Sequence, residues 1–173
     1  RRFWHTDFLE HLIGVEGYVP ETGFAFKGEE TERYDVRVTG KISFNPNHPH
    51  VKDFIEFKEI VGDRAVAKQT IPSPNQLFNA GIRNQDIYPD IEEYANDIIQ
   101  AYRDAIKAFY DAGCRYLQLD DVYIAGLNAP EIPFNDSGYA REELIDLALR
   151  VANGVLDGKP EDLIVTTHLC RGN

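Results

Sequence analysis

The sequence has no methionine, a single tryptophan (Trp4) and only two cysteines, Cys114 and Cys170. The cysteines stand 56 positions apart, which leaves no disulfide framework and makes a reducing, cytoplasmic compartment the expectation. Positive charge is scarce. Eighteen Lys and Arg against 29 Asp and Glu leave a net charge of −11. A nucleic-acid partner needs a basic footprint, and an anionic membrane surface attracts basic segments, so the charge argues against both. No apolar run approaches the roughly 20 residues of a membrane-spanning helix, and no signal-peptide pattern opens the chain. No strand-to-helix turn carries a Gly-x-Gly-x-x-Gly or P-loop glycine cluster, which counts against a nucleotide-binding doubly wound fold.

The lack of even an initiator methionine, together with abrupt ends, suggests a fragment. Arg1-Arg2-Phe3-Trp4 opens the chain, and a candidate ligand pair lies just before Asn173. The 173 residues suffice for one domain (1–173) with a sizeable core, and apolar (43%) and charged (27%) contents are ordinary for a globular protein.

Hydrophobic spacing predicts a first helix over Thr6–Ile13, closed by Gly14 or Gly17, with His5 and His11 on its surface or edge. Residues 20–32 are rich in Pro, Gly and Glu and read as loop. Arg33–Phe44 alternates with period two, a strand with a bulge or bend at Gly40. His48 and His50 form a His-x-His pair in a proline-flanked loop with no carboxylate or thiolate cluster nearby in sequence, so solvent exposure is expected. Val51–Val61 reads as a short helix. Arg64–Ile71 reads as a strand running into the rigid loop Pro72-Ser73-Pro74-Asn75-Gln76.

The second half is more regular. Asp90, with Glu93 three residues on, begins a long helix with one apolar stripe, ended at Gly113. Cys114–Leu119 is a short strand delivering Asp120-Asp121, followed by a long loop over 122–137. Asp136 or Ser137 caps a helix over Tyr139–Leu156, and Leu163 starts a last strand that delivers His168 and Cys170. Strand, helix, strand, helix, strand with short connections is the βαβ pattern of a parallel sheet. Polar residues gather at successive strand C-terminal ends: Ser73 to Gln76, then Asp120-Asp121, then His168 and Cys170. In a (β/α)8 TIM barrel such ends share one catalytic face. A full barrel takes about 250 residues, so the expected fold is α/β, a partial TIM barrel missing strands at both ends.

His168 and Cys170 are two apart on a strand, so both face one way, with Cα atoms about 6.5 Å apart. Imidazole nitrogen and thiolate sulfur are preferred zinc ligands, but zinc needs three or four protein ligands and two are here. On spacing alone a second reading stands beside the first, in which Cys packs as a small hydrophobe and His is satisfied by a neighbour. Gln118 and Asp120 likewise share a face. Asp120 at a buried strand end could grip an ammonium group, or the Asp pair could start a loop and cap backbone N–H groups.

Tyr116-Leu117-Gln118-Leu119-Asp120-Asp121, after Ala112-Gly113, resembles the "Ala-Gly … Ile-Gln-Ile-Asp-Glu" segment of cobalamin-independent methionine synthases. Thr166-Thr167-His168-Leu169-Cys170 resembles their "His-Thr-His-Met-Cys" zinc segment, in the same order and at a similar separation. Val38-Thr39-Gly40-Lys41-Ile42-Ser43 is similar to their "Ile-Gly-Asp-Ile-Ser" strand, and Ile71-Pro72-Ser73-Pro74 stands where they have "Leu-Thr-Gly-Pro".

The resemblance implies a zinc-dependent methyltransferase that moves a methyl group from methyltetrahydrofolate, or another methyl carrier, to the thiol of homocysteine to give methionine. It implies His168 and Cys170 as zinc ligands, with a Glu and a second Cys beyond Asn173. It implies Asp120 as the partner of the homocysteine amino group, and places Asp121, Ser73 and Gln118 in the substrate site. Partners are then small molecules. Asp121 stands for the family's usual Glu, and no tryptophan follows Ser73-Pro74, where the large enzymes carry one associated with the folate donor. The chain looks more like the short, single-barrel relatives. The alternatives are a zinc-independent barrel of the same superfamily, uroporphyrinogen-decarboxylase-like, and a non-catalytic α/β module.

Overall fold

The structure is a computed structural model and describes residues 4–26, 28–130, 132 and 138–170. The first helix, α1 (Trp4–Leu9), is shorter than its apolar spacing predicts, because Ile13 already belongs to strand β1 (Ile13–Tyr18). Gly14 does not cap the helix. It has φ +80° where β1 crosses the next long strand, and a Cβ there would sit 2.3 Å from the carbonyl oxygen of Lys41. Residues 20–32 are not all loop. β2 (Phe24–Phe26) and β3 (Glu29–Thr31) pair antiparallel as a hairpin, too short for the sequence to show a period. β4 (Asp35–Ser43) follows as expected and pairs antiparallel with β1. The register jumps from Ile13–Ser43 to Val15–Val38, which puts the expected irregularity around Gly40.

Helix α2 (Pro49–Val61) starts two residues before Val51, with Pro49 at its first position, where a missing N–H costs nothing. β5 (Lys68–Pro72) begins later than expected, since residues 62–64 form a 3-10 turn. The rigid loop after it is a second such turn, Pro74–Phe78. Helix α3 (Ile91–Asp111) matches its prediction. Asp90 caps it through the Glu92 N–H, whereas Glu93 pairs with Lys41 Nζ at 2.6 Å in place of a capping box. Its buried stripe includes Tyr94, Ile98, Tyr102, Ile106 and Phe109.

Then come β6 (Tyr116–Asp121), a short helix α4 (Tyr123–Leu127) inside the expected loop, α5 (Arg141–Gly154) and β7 (Ile164–Leu169). The cap expected from Asp136 or Ser137 lies outside the described residues. β5, β6 and β7 form a parallel three-stranded sheet in that order. The architecture is thus α/β, with one parallel βαβαβ run and two antiparallel pairs. Two tyrosines of α3 fasten it to the end of β5: Tyr102 Oη donates to the Pro72 carbonyl (3.0 Å) and Tyr94 Oη to the Leu77 carbonyl (2.7 Å). Burial pushes both phenols far above their ordinary pKa, so both stay donors.

Candidate functional site

Parallel pairing brings three strand ends to one rim. Pro72, Asp120 and His168 are register partners across β5, β6 and β7. The ladder continues past the strands, with the Ser73 N–H donating to the Asp120 carbonyl (2.8 Å) and the Cys170 N–H to the Asp121 carbonyl (3.1 Å). The rim predicted from the sequence therefore forms, with Ser73, Asp120, Asp121, His168 and Cys170 on adjacent ends.

The strand period separates the two aspartates. Leu117, Leu119 and Asp121 are buried on one face of β6, whereas Tyr116, Gln118 and Asp120 are half-exposed on the other. Asp121 is 1% exposed, and its carboxylate is fully engaged by the protein. Oδ2 accepts from Ser73 Oγ (2.5 Å) and Asn75 Nδ2 (2.9 Å), and Oδ1 from the Ile124 N–H (2.8 Å). It ties the loop after β5 and the start of α4 to the end of β6. Asn75 is the residue that sequence reading did not single out. It is wholly buried, and its Oδ1 has no partner. Its place in the polar loop beside Ser73 was the only available signal.

On the open face, Asp120 Oδ1 accepts from Gln118 Nε2 at 2.6 Å. Gln118 Oε1 accepts in turn from Lys68 Nζ at 2.5 Å. In this chain His168 is exposed and Cys170 half-buried at the end of β7, one of the two edge strands of the parallel sheet. Thr166, in register with Gln118, has a buried Oγ1 without a partner.

Among the described residues, His168 and Cys170 do not join a third His, Cys, Asp or Glu into a ligand cluster. The group that does is Asp7, Glu10 and His11, whose ligand atoms lie within 4.8 Å of one another. Spacings of three and four place them on one side of a helical turn. Each is also bonded: His11 Nδ1 to the Asp7 carbonyl (2.6 Å), His50 Nε2 to Asp7 Oδ2 (2.9 Å), and Tyr34 Oη to Glu10 Oε2.

This corrects the expected exposure of the His-x-His pair. His48 is 1% exposed, stacked on Phe44, with Nε2 at 3.0 Å from the Phe8 carbonyl and Nδ1 accepting the His50 N–H. The carboxylate absent from its sequence neighbourhood, Asp7, arrives from α1. Burial lowers the His48 pKa to about 4. The folded protein keeps this imidazole neutral while the unfolded chain protonates it near pH 6.5. Its contribution is therefore intact above that pH and drains as pH falls from about 6.5 to 4, by at most about 1.4 kcal/mol per pH unit. Urea unfolding at pH 7 and pH 4.5 should show this loss, and His48→Gln should flatten it. An unchanged slope in the variant would clear His48.

A cavity of about 410 Å³ lies at the other end of the strands, between the C-terminal part of α3 and the Val155–Pro160 segment. Its cations are spoken for: Arg103 pairs with Asp157 (3.1 Å), Lys107 with Asp111 (2.5 Å), and Lys159 Nζ donates to the Leu163 carbonyl (2.9 Å).

No family model matches the chain. The Bacillus subtilis proteins YxjH and YxjG are each 43% identical to it over its whole length, which is 46% of theirs. The chain thus spans about half the length of the curated relatives it matches. A solved structure from Listeria monocytogenes, provisionally named a vitamin-B12-independent methionine synthase, is 45% identical. It superposes with a TM-score of 0.80 over 99% of this chain and 47% of its own. A B12-independent methionine synthase from Shewanella sp. W3-18-1, solved with selenomethionine, has a TM-score of 0.67 at 18% identity, covering 99% of this chain and 44% of its own, and so shares the fold. Over its whole length, which is 47% of the Listeria protein's, the chain is thus similar to a structure provisionally named a vitamin-B12-independent methionine synthase, the family that its strand-end motifs resemble.

Proposed function

We propose that the protein carrying this chain is a zinc-dependent methyltransferase of methionine biosynthesis. It moves a methyl group from methyltetrahydrofolate, or another methyl carrier, to the thiol of homocysteine in the cytoplasm. The chain supplies part of a (β/α)8 barrel. The observation that carries the reading is the register pairing of Asp120 with His168, with Cys170 two residues further along the same edge.

The donor set fits the metal. His168 and Cys170 offer one nitrogen and one sulfur from alternate positions of one extended segment, which is half of a tetrahedral set. The Glu and Cys implied by the family resemblance would complete it from beyond Asn173. When bound, zinc would hold the substrate sulfur as a thiolate near neutral pH. The residues on hand do the rest. Asp120 takes the substrate ammonium with the oxygen that Gln118 leaves open, which orients the sulfur towards the His168 and Cys170 edge. Asp121, Ser73 and Asn75 hold the rim in place behind it. Fixing both ends of a small aminothiol in this way supplies the orientation an in-line methyl transfer needs.

The test is direct. The intact, zinc-loaded protein, given homocysteine and methyltetrahydrofolate, should form methionine, read by mass spectrometry, and should carry about one zinc per chain. Stoichiometric zinc with no methionine from this donor or a methylcobalamin donor would sink the methyl-transfer assignment. Full activity without zinc would favour the zinc-independent alternative.

A further inference from the structure

The open face of the parallel sheet carries a chain of polar contacts leading to Asp120. Lys68, on β5, is in register with Tyr116 on β6, and its Nζ lies 4.9 Å from the centre of the Tyr116 ring. A cation over an aromatic face is held there electrostatically. The same Nζ donates to Gln118 Oε1 at 2.5 Å, and Gln118 Nε2 donates to Asp120 Oδ1 at 2.6 Å. An ammonium group has three donors and no acceptor. It therefore accepts only the oxygen end of the Gln118 amide as a neighbour, and the NH2 end is forced towards Asp120. No ambiguity of amide orientation remains, since the reverse flip would set NH2 against ammonium and oxygen against carboxylate. Among the described residues, no hydrogen bond engages Asp120 Oδ2.

We infer that Lys68 is a positioning residue for the substrate's amino group. Acting through Gln118, it fixes Asp120 so that Oδ2 faces an incoming ammonium. The inference rests on the methyl-transfer reading for the identity of the substrate. It also changes the part assigned to Gln118, which acts on Asp120 and makes no substrate contact of its own. The polarity of the chain matters. Lysine pulls electron density along the amide, which strengthens the Gln118 N–H as a donor, and linked hydrogen bonds reinforce one another in this way.

The test compares two thiols on the intact protein: homocysteine and 4-mercaptobutanoate, which lacks only the amino group. Wild-type protein should prefer homocysteine. Lys68→Met should raise KM for homocysteine about tenfold, the scale of one charge-assisted hydrogen bond, and leave KM for 4-mercaptobutanoate where it was. Lys68→Arg, which still donates to the Gln118 oxygen, should recover most of the preference. Gln118→Glu, of the same size, should abolish it, because a second carboxylate then faces Asp120. Methionine keeps the apolar stem of lysine, so Lys68→Met should fold. If Lys68→Met discriminates between the thiols as well as wild type does, the positioning role is wrong. If wild-type protein methylates neither thiol, the methyl-transfer reading fails, and the amino-group assignment falls with it.

Discussion

Replacing His168 with Ala or Cys170 with Ser should strip the protein of its zinc and lower kcat/KM for homocysteine about a thousandfold. The size follows from what is removed. A metal that stabilises a thiolate supplies several kcal/mol to the reaction, and about 4 kcal/mol corresponds to a thousandfold in rate. The readout separates metal from fold. Neither side chain belongs to the buried core of this chain, so each substitution removes a ligand without opening a cavity there. Metal content by mass spectrometry should therefore fall while the thermal transition of the metal-stripped proteins stays in place. A variant of either residue that keeps stoichiometric zinc would remove that residue from the site.

Asp121→Ala should destabilise the fold by about 3–5 kcal/mol, the scale of leaving several hydrogen-bond donors unpaired at a buried site. Three donors lose their acceptor at once: Ser73 Oγ, Asn75 Nδ2 and the Ile124 N–H. Each buried donor left unpaired carries its own desolvation cost of about 1–3 kcal/mol, partly relieved if water enters. For a protein of this size the expected fall in Tm is on the order of 10 °C. Asp121→Asn should cost less, because one oxygen remains to accept. Differential scanning calorimetry separates the cases. A loss under about 1 kcal/mol in the alanine variant would show that the loop after β5 and the start of α4 do not depend on this carboxylate. The same variant tests whether Asp121 serves structure or substrate. A structural carboxylate shows its effect in the transition temperature, whereas a substrate contact would show it in KM of a protein that melts normally.

The contrast between Asp120 and Asp121 shows how far a sequence can be read. The two-residue strand period separates their faces, and the alternation of Leu117, Gln118 and Leu119 already shows which side is apolar. That Asp121 lies on the apolar side, held by hydrogen bonds from Ser73 and Asn75, depends on a loop from another strand 46–48 residues away. Nothing local in Leu119-Asp120-Asp121 carries that information. The short helix α4 is in the same position. Its five residues have little intrinsic stability, and the Asp121 carboxylate at the Ile124 N–H helps hold its first turn.

The histidines make the point from the other direction. A proline-flanked His-x-His segment reads as exposed because its sequence neighbours are polar and turn-forming. Its burial comes from α1, where Phe8 provides a ring and a carbonyl to His48, and Asp7 provides a carboxylate to His50. These contacts span 40 and 43 residues.

By itself, the sequence determined the α/β class, the extent of α3, the order of the βαβαβ run, and the presence of Ser73, Asp120, Asp121, His168 and Cys170 at strand ends. These rest on local physics: apolar period, capping residues, glycine at helix ends and the alternation of a strand. The tertiary structure alone decided that Asp120 and His168 are register partners, that Asp121 is a buried lock, and that Lys68 reaches Asp120 through Gln118. Each is a pairing across strands. Register between separate strands is set by packing of the whole sheet against its helices, and a chain read one window at a time holds no measure of it.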